Sequence, residues 1–450
     1  MGAQAHSPVD IGPLIDGARL RPLHLVLFVL SLFGMVLEGY DTYAVSYVGP
    51  QIAAAWKVPP AAMGVVFTAG ILGAAIGYMA IGPFADRFGR RRLVIAGAAA
   101  LGLVTLASVT AQDAQTFTAW RLACGLALGV MLPNLVALAA EFAPARHRSI
   151  AIVALYSGFA IGSAAGGLVA SGLVPAYGWK AVFVVGGAAP LILAALLAAA
   201  MPESPRHLAL HRPDDPRLPR VMARLGAAPP AGAQLFTPQS EAAPRQPIGQ
   251  LFTGGRAFST VLIWLVLAMD SAAIGSLLFW IPTLVTQAGA TLSAGITFSM
   301  ILLMGGIVGA VVIGAAMDAL GVFRTLIASH LIAVATVVAF AFAVKAAPAL
   351  LGFAIGMTLN GGTSGIQGLL ARLYPTTLRA TGIGWASGMA RLIGMGQPLL
   401  TGLLLSAHWS PQATVIACAV PIAMTVAGLS ALSADPFGRA AASPNAEAPA

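Results

Sequence analysis

LHLVLFVLSLFGMVLEGYDTYAVSYVGP, residues 23–50, is an apolar run that contains two carboxylates, Glu38 and Asp41. A membrane-spanning helix needs about 20 predominantly apolar residues, and this run is longer. Runs of the same kind recur from Leu23 to Leu432. The 450-residue chain is 58% hydrophobic and 9% charged, with a mean hydropathy of +0.87. Soluble domains carry about 25% charged residues. A chain of this length with so few charges cannot cover a water-facing surface. The composition therefore excludes a soluble protein and predicts an all-α membrane protein.

The runs place twelve transmembrane helices at 23–48, 61–84, 93–111, 118–142, 149–174, 180–200, 258–286, 293–317, 324–345, 348–371, 379–405 and 411–432. They form two six-helix halves, 23–200 and 258–432. A polar stretch rich in Pro, Arg and Ala, 201–257, joins the halves, and tails of 1–22 and 433–450 flank them. With both termini in the cytoplasm, 19 of the 24 Lys and Arg residues fall in inside segments and three, Lys57, Lys180 and Lys345, fall outside. Cytoplasmic loops carry the Lys/Arg excess, so this orientation is the expected one. It also accounts for the net charge of +9 without a nucleic-acid partner. The polar N-terminus shows no short apolar core with a cleavage site, so the first span is expected to direct insertion and to stay.

GPFADRFGRRR (82–92) joins spans two and three, and GAAMDALGVFR (314–324) joins spans eight and nine. Gly82/Gly314, Asp86/Asp318 and Gly89/Gly321 align as an internal repeat. Parallel repeats suit a transporter with its site between the halves. In the first loop, Gly82 permits close approach of helix ends and Gly89 a tight reversal. Asp86 can accept hydrogen bonds at a helix N-terminus, and Arg87 and Arg90 can pair with it.

This loop resembles the signature of the major facilitator superfamily (MFS), in which it acts as a conformational latch. LEGYDTYAVSYVGPQI, RLACGLALGVMLPN (121–134), VPAYGWKAVFVVGGAAPLIL (174–193), MPESPRHL (201–208), FWIPTLVTQAGAT (279–291) and ARLYPTTLRATGIGWASGMARLIG (371–394) resemble more narrowly the aromatic acid:proton symporters, which include 4-hydroxybenzoate, protocatechuate and phenylpropionate transporters. The resemblance covers the chain apart from linker and tails. It implies the MFS fold and proton-coupled uptake of an aromatic carboxylate. Departures are Glu38 for the usual Asp, Lys180 where some members have His, Ala319 for a basic residue, and Asp270 for a neutral one.

Glu38 and Asp41 are three residues apart and share a helix face. An intramembrane carboxylate costs roughly 2.5–3.5 kcal/mol on insertion scales, so both should face a polar cavity or partner. Such a pair can hold and release a proton; its bland alternative is helix packing. The resemblance matches both positions to the symporters' acidic pair. It matches Arg121 to the fourth-span Arg-x-x-x-Gly-x-x-x-Gly element that couples proton movement to conformational change; a structural pair with Asp41 is compatible with that role.

Arg391 lies 12 residues into its span, about 18 Å along the helix. Its planar fork suits a substrate carboxylate, with a structural ion pair as the alternative. Asn360, Ser364 and Gln367 share one face of span ten and are candidate cavity-lining groups, with interhelical hydrogen bonding in the bundle as the alternative. Tyr156, Phe159, Trp280 and Trp385 are aromatics that can stack on a ring; Tyr156 and Trp385 are assigned to the substrate site. Asp270 is assigned to substrate polarity or a second protonation site, with a polar kink site or a pore-facing solvated group as the alternatives. Glu141 and Asp318, at cytoplasmic span ends, belong with the latch. Arg379 is read as a positive-inside anchor and His330 is given no role.

No nucleotide-binding P-loop, metal cluster or nucleophile elbow is present in the sequence. The expectation is a transporter rather than an enzyme, without cofactor or metal, acting as a monomer in a bacterial inner membrane. Its partners are the lipid bilayer, protons and a small aromatic acid. Competing readings are a symporter for another organic acid or a sugar, a proton-driven exporter, and a transport-like sensor. GFAIGSAAGG (158–167) lacks the proline of the usual exporter motif.

Overall fold

The computed structural model describes residues 9–80, 89–230, 235–237, 248–343 and 348–441. Gly82, Asp86 and Arg87 of the first loop lie outside the described residues, as do Lys345 and the side chain of Arg379. Long apolar helices dominate: α2 (Pro22–Trp56), α3 (Pro60–Ala80), α4 (Arg90–Ser108), α5 (Ala114–Phe142), α6 (Ala145–Tyr177) and α7 (Lys180–Ala200). After the linker come α10 (Ala257–Gln287), α11 (Leu292–Leu320) and α12 (Val322–Ala343). Next are α13 (Pro348–Ile355), a π-helical turn at Gly356–Asn360, and α14 (Gly361–Leu373). Finally come α15 (Thr376–Ser406), α16 (Pro411–Ala434) and the short α17 (Pro436–Ala441).

Among the described residues, ten helices are each long and apolar enough to cross a membrane. The expected tenth span is divided by the π-helical turn. π-Bulges are rare and concentrate at functional sites. Starts are set by side-chain caps. Asp113 accepts from the backbone N–H and hydroxyl of Thr116, while Thr291 and Ser410 accept from the amides of Ala294 and Ala413. Each satisfies an amide that the first helical turn leaves unpaired. Prolines inside α2, α5, α6, α7, α10, α15 and α16 do not end those helices, as membrane helices allow.

Contacts divide the chain into two compact units. One falls within Met1–Thr42, Ala69–Gly166 and Lys180–Ala242; the other falls within Tyr43–Thr68, Gly167–Trp179 and Ala243–Ala450. The boundaries cut through α2, α3 and α6. The first unit's core joins α2, α4, α5 and α7 to a short N-terminal helix α1 (Ile11–Asp16) and two linker helices, α8 (Pro205–His211) and α9 (Arg217–Arg224). Ile11, Ile15, Leu218 and Met222 are fully buried there. Strands β1 (Val9–Asp10) and β2 (Leu235–Phe236) pair in parallel. The linker and the N-terminal tail thus contain ordered structure that their polarity hid.

In the second unit the C-terminal part of α2 and the first part of α3 pack with α10 and α15. Thr68 Oγ1 donates to the Met395 carbonyl at 3.1 Å, and Ser406 Oγ accepts from Ala61 N at 2.9 Å. Trp280 donates its Nε1–H to the Pro398 carbonyl at 2.9 Å and meets Phe67 edge-on.

The internal repeat has a backbone counterpart. Gly89 precedes α4 at φ +85°, ψ 144°, and Gly321 precedes α12 at φ +94°, ψ 148°. This region is open essentially to glycine alone. The two aligned glycines thus share the same dihedrals.

Candidate functional site

Arg121 of α5 and Asp41 of α2 form a buried fork. Arg121 Nη1 donates to Asp41 Oδ1 at 3.0 Å and Nη2 to Oδ2 at 2.9 Å. Nη2 also reaches the Asp41 carbonyl at 3.1 Å. Both side chains are 4% exposed. Two parallel N–H···O bonds fix orientation as well as charge. The backbone explains the placement. A Cβ on Gly125 would sit 2.0 Å from the Gly70 carbonyl, so α5 and α3 touch backbone to backbone one turn from Arg121. The Arg-x-x-x-Gly-x-x-x-Gly spacing thereby seats the guanidinium beside Gly70.

The fork is not fully used. Arg121 Nε is buried with no acceptor among the described residues. Tyr40, beside Asp41, donates to the Val182 carbonyl at 2.7 Å, which ties α2 to α7. Glu38, one turn earlier on α2, is half-buried. The glycine ridge of α6 serves packing: a Cβ on Gly162 would sit 1.8 Å from the Val36 carbonyl.

The second buried carboxylate, Asp270 of α10, is fully enclosed. His330 Nε2 of α12 lies 3.1 Å from Oδ1, and Thr363 Oγ1 of α14 donates to Oδ2 at 2.7 Å. Asp270 and His330 both have 0% side-chain exposure. Sequence reasoning singled out Asp270 but gave His330 no role and passed over Thr363. An ionisable residue in an apolar span is a functional candidate by default, and that signal at His330 was available.

The remaining candidates are placed as follows. Arg391 and Trp385 of α15 are exposed in the chain; the Trp385 ring stacks on Trp264 at 6.3 Å and 12°. Asn360, in the π-helical turn, is half-buried, and Ser364 and Gln367 of α14 are exposed. Tyr156 of α6 is 59% exposed. Trp280 is enclosed by packing rather than presented to a cavity. Cys124 and Cys418 are buried free thiols.

At the start of α4, Arg90 pairs with Glu141 of α5 at 2.9 Å. Arg91 donates from Nη2 to the Ala198 carbonyl at 2.6 Å and from Nε to the Met201 carbonyl, closing the end of α7. A cation there favours the helix dipole. Glu203 accepts from the Arg91 amide at 3.2 Å, and Ser204 donates to Glu141. The MPES residues thus complete a network around Arg90 and Glu141. Asp318 lies 3.7 Å from Arg372.

The description "Major Facilitator Superfamily" matches this chain over residues 31–395. The chain belongs to that superfamily, a class of multi-pass membrane transporters rather than enzymes. Relatives it matches are named as transporters of aromatic acids. It is 30% identical to the gallate transporter of Pseudomonas putida, over 95% of this chain and 94% of that one. It is 31% identical to the 4-hydroxybenzoate transporter PcaK of Pseudomonas aeruginosa, over 94% and 95%. It is 33% identical to the 3-(3-hydroxy-phenyl)propionate transporter of Escherichia coli, over 93% and 94%.

The fold is that of solved MFS proteins. A bacterial homolog of the human lysosomal transporter Spinster superposes with a TM-score of 0.71 at 16% identity, covering 94% of this chain and 96% of that one. The D-xylose–proton symporter gives 0.68 at 17%, covering 92% and 97%.

Proposed function

We propose that this protein takes up an aromatic carboxylate with protons by alternating access. It acts as a monomer of twelve spans in two six-helix halves, in a bacterial inner membrane with both termini cytoplasmic. The substrate class rests on relatives that match almost end to end and are named for gallate, hydroxybenzoate and hydroxyphenylpropionate. The observation that carries the coupling is the enclosed, bidentate Asp41–Arg121 pair.

The coupling follows from charge balance. With Asp41 ionised, the buried pair is neutral overall. A proton on Asp41 removes the counter-charge of a guanidinium that stays protonated in proteins, leaving one positive charge in a dry site. An entering carboxylate restores the balance and can use the Arg121 Nε–H, which has no acceptor among the described residues. Proton alone or anion alone leaves a buried net charge, which is costly. Both together, or neither, do not. Glu38 is the neighbouring group through which the proton reaches Asp41.

Arg391 holds or guides the substrate carboxylate, and Trp385, Tyr156, Asn360, Ser364 and Gln367 line its path. The network of Arg90, Glu141 and residues 201–204 latches one access state, and Asp318 with Arg372 plays the equivalent part in its own half. A monoanion entering a negative cell climbs about 2.3 kcal/mol per 100 mV; one co-transported proton cancels that work.

The test is uptake of radiolabelled 4-hydroxybenzoate, gallate and 3-(3-hydroxyphenyl)propionate by proteoliposomes under an imposed inward proton gradient. Gradient-driven accumulation of one of them is expected, with accumulation abolished in Asp41→Asn. Flux that ignores the gradient, or no flux with any of the three, overturns the reading.

A further inference from the structure

We infer that Asp270 and His330 form a second proton-binding site, which holds one transported proton apart from the Asp41–Arg121 pair. The inference rests on the symport reading above and adds a carrier to it.

The argument is a count of hydrogens in a closed space. His330 Nδ1 lies 2.7 Å from the Leu326 carbonyl, one turn back on its own helix. A carbonyl only accepts, and the Ser329 hydroxyl, 3.2 Å from Nδ1, gives its own hydrogen to that carbonyl at 2.9 Å, so Nδ1 carries a hydrogen. Nε2 then faces Asp270 Oδ1 at 3.1 Å. That contact needs one hydrogen, held either by the imidazole or by the carboxyl. Without it, two lone pairs face each other and the enclosed pair bears a net negative charge at 0% exposure. With it, the pair is neutral. The other carboxylate oxygen is occupied by the Thr363 hydroxyl. This arrangement therefore keeps one proton and releases it only when the pair parts or meets water.

The surroundings fit a proton carrier. Asp270 is 13 residues from the start of the 31-residue α10, about 20 Å from that end. Of the helices packed on α10, α12 presents His330 and α14 presents Thr363. α15 brings Arg391, one turn before Gly394, which abuts Ser271. α16 carries Cys418, and α11 carries Asp318 at its far end beside Arg372. Thr363 follows the π-helical turn by three residues, so its hydroxyl sits on a segment whose ladder is already interrupted. Gly362 makes room for the imidazole: a Cβ there would sit 2.6 Å from His330 Cε1. An imidazole or a carboxyl can take up and give up a proton, whereas an arginine partner cannot.

Two protons per monoanion move one net positive charge inward. Proteoliposomes are loaded to give either a pH gradient or an inside-negative potassium diffusion potential, and 4-hydroxybenzoate, gallate and 3-(3-hydroxyphenyl)propionate accumulation is measured. The wild type is expected to accumulate substrate under either gradient, rising about tenfold per 59 mV of potential, the value for one net charge. His330→Gln and Asp270→Asn are expected to lose the voltage response and keep a response to the pH gradient. A merely structural pair would lower uptake under both gradients together and leave the voltage slope at its wild-type value; that result overturns the inference. A wild type that responds to the pH gradient but not to voltage also overturns it and leaves the symport reading standing. A wild type that responds to neither overturns both. Thr363→Val, which keeps both titratable groups, is expected to retain the wild-type slope.

Discussion

The two carboxylates buried among the described residues, Asp41 and Asp270, solve one physical problem in different ways. Asp41 is held by a guanidinium through two parallel bonds. Asp270 is held by an imidazole and a hydroxyl, one on each oxygen. The first partner is always charged. The second can carry its extra proton or go without it. The Asp41 site therefore stays balanced without a proton and becomes unbalanced when it takes one. The Asp270 site is balanced only while it keeps one. A buried acid is thus not one kind of signal: the partner decides whether the empty or the loaded form is at rest.

The largest expected effect breaks the first site. Arg121→Leu strands the Asp41 charge in a closed pocket. Removing one member of a buried pair costs about 3–5 kcal/mol, so a marked fall in thermal stability in detergent and loss of transport are expected. Arg121→Lys should not restore transport, because a point-like ammonium cannot reproduce two parallel bonds. Transport by the lysine variant at more than a tenth of the wild-type rate would show that charge alone matters.

The next effect tests the second site by shape rather than charge. Gly362→Ala places a methyl against the His330 ring, which is rigid and packed on all sides. Overpacking of this kind costs about 1–3 kcal/mol. Reduced thermal stability and reduced voltage-driven uptake are expected. Thr363→Val comes after it. It removes the hydroxyl from Asp270 Oδ2, and a hydrogen bond to a charged group contributes about 1.5–3 kcal/mol. Here the lower half of that range is expected, because Thr363 Oγ1 also lies 3.1 Å from the Leu359 carbonyl. Melting curves of both variants check the order.

The first site was legible in the sequence and the second only in part. Arg121 announces itself by its place in an apolar span and by the glycines four and eight residues on. Asp41 stands in the opening run, and pairing the two needs only the idea that buried charges are matched. His330 and Thr363 lie 60 and 93 residues from Asp270, and no periodicity links them. Thr363 is hidden by its neighbour: Asn360, Ser364 and Gln367 share a face, and Thr363 points from another. The helices of the linker escaped for a different reason. Their buried face consists of a few residues, such as Leu218, Val221 and Met222, among arginines, so the average polarity reads as loop. The Arg91 cap on α7 uses backbone carbonyls, which a sequence does not display.

The smallest expected effect sharpens the contrast from the other side. Gly70 faces the Arg121 fork as Gly362 faces His330, and both look like spacers in the sequence. Their spaces differ. A Cβ on Gly70 would meet Arg121 Nη2 at 3.5 Å, an ordinary contact, whereas that on Gly362 would meet the ring at 2.6 Å. Alanine also forms helix better than glycine by about 1 kcal/mol. Gly70→Ala is therefore expected to leave stability within about 0.5 kcal/mol of the wild type or slightly above it, with transport unchanged. If Gly70→Ala instead lowers the melting temperature as much as Gly362→Ala, the Asp41–Arg121 site is as tightly fitted as the histidine site. The difference between the two would then lie in charge alone and not in how closely each is packed.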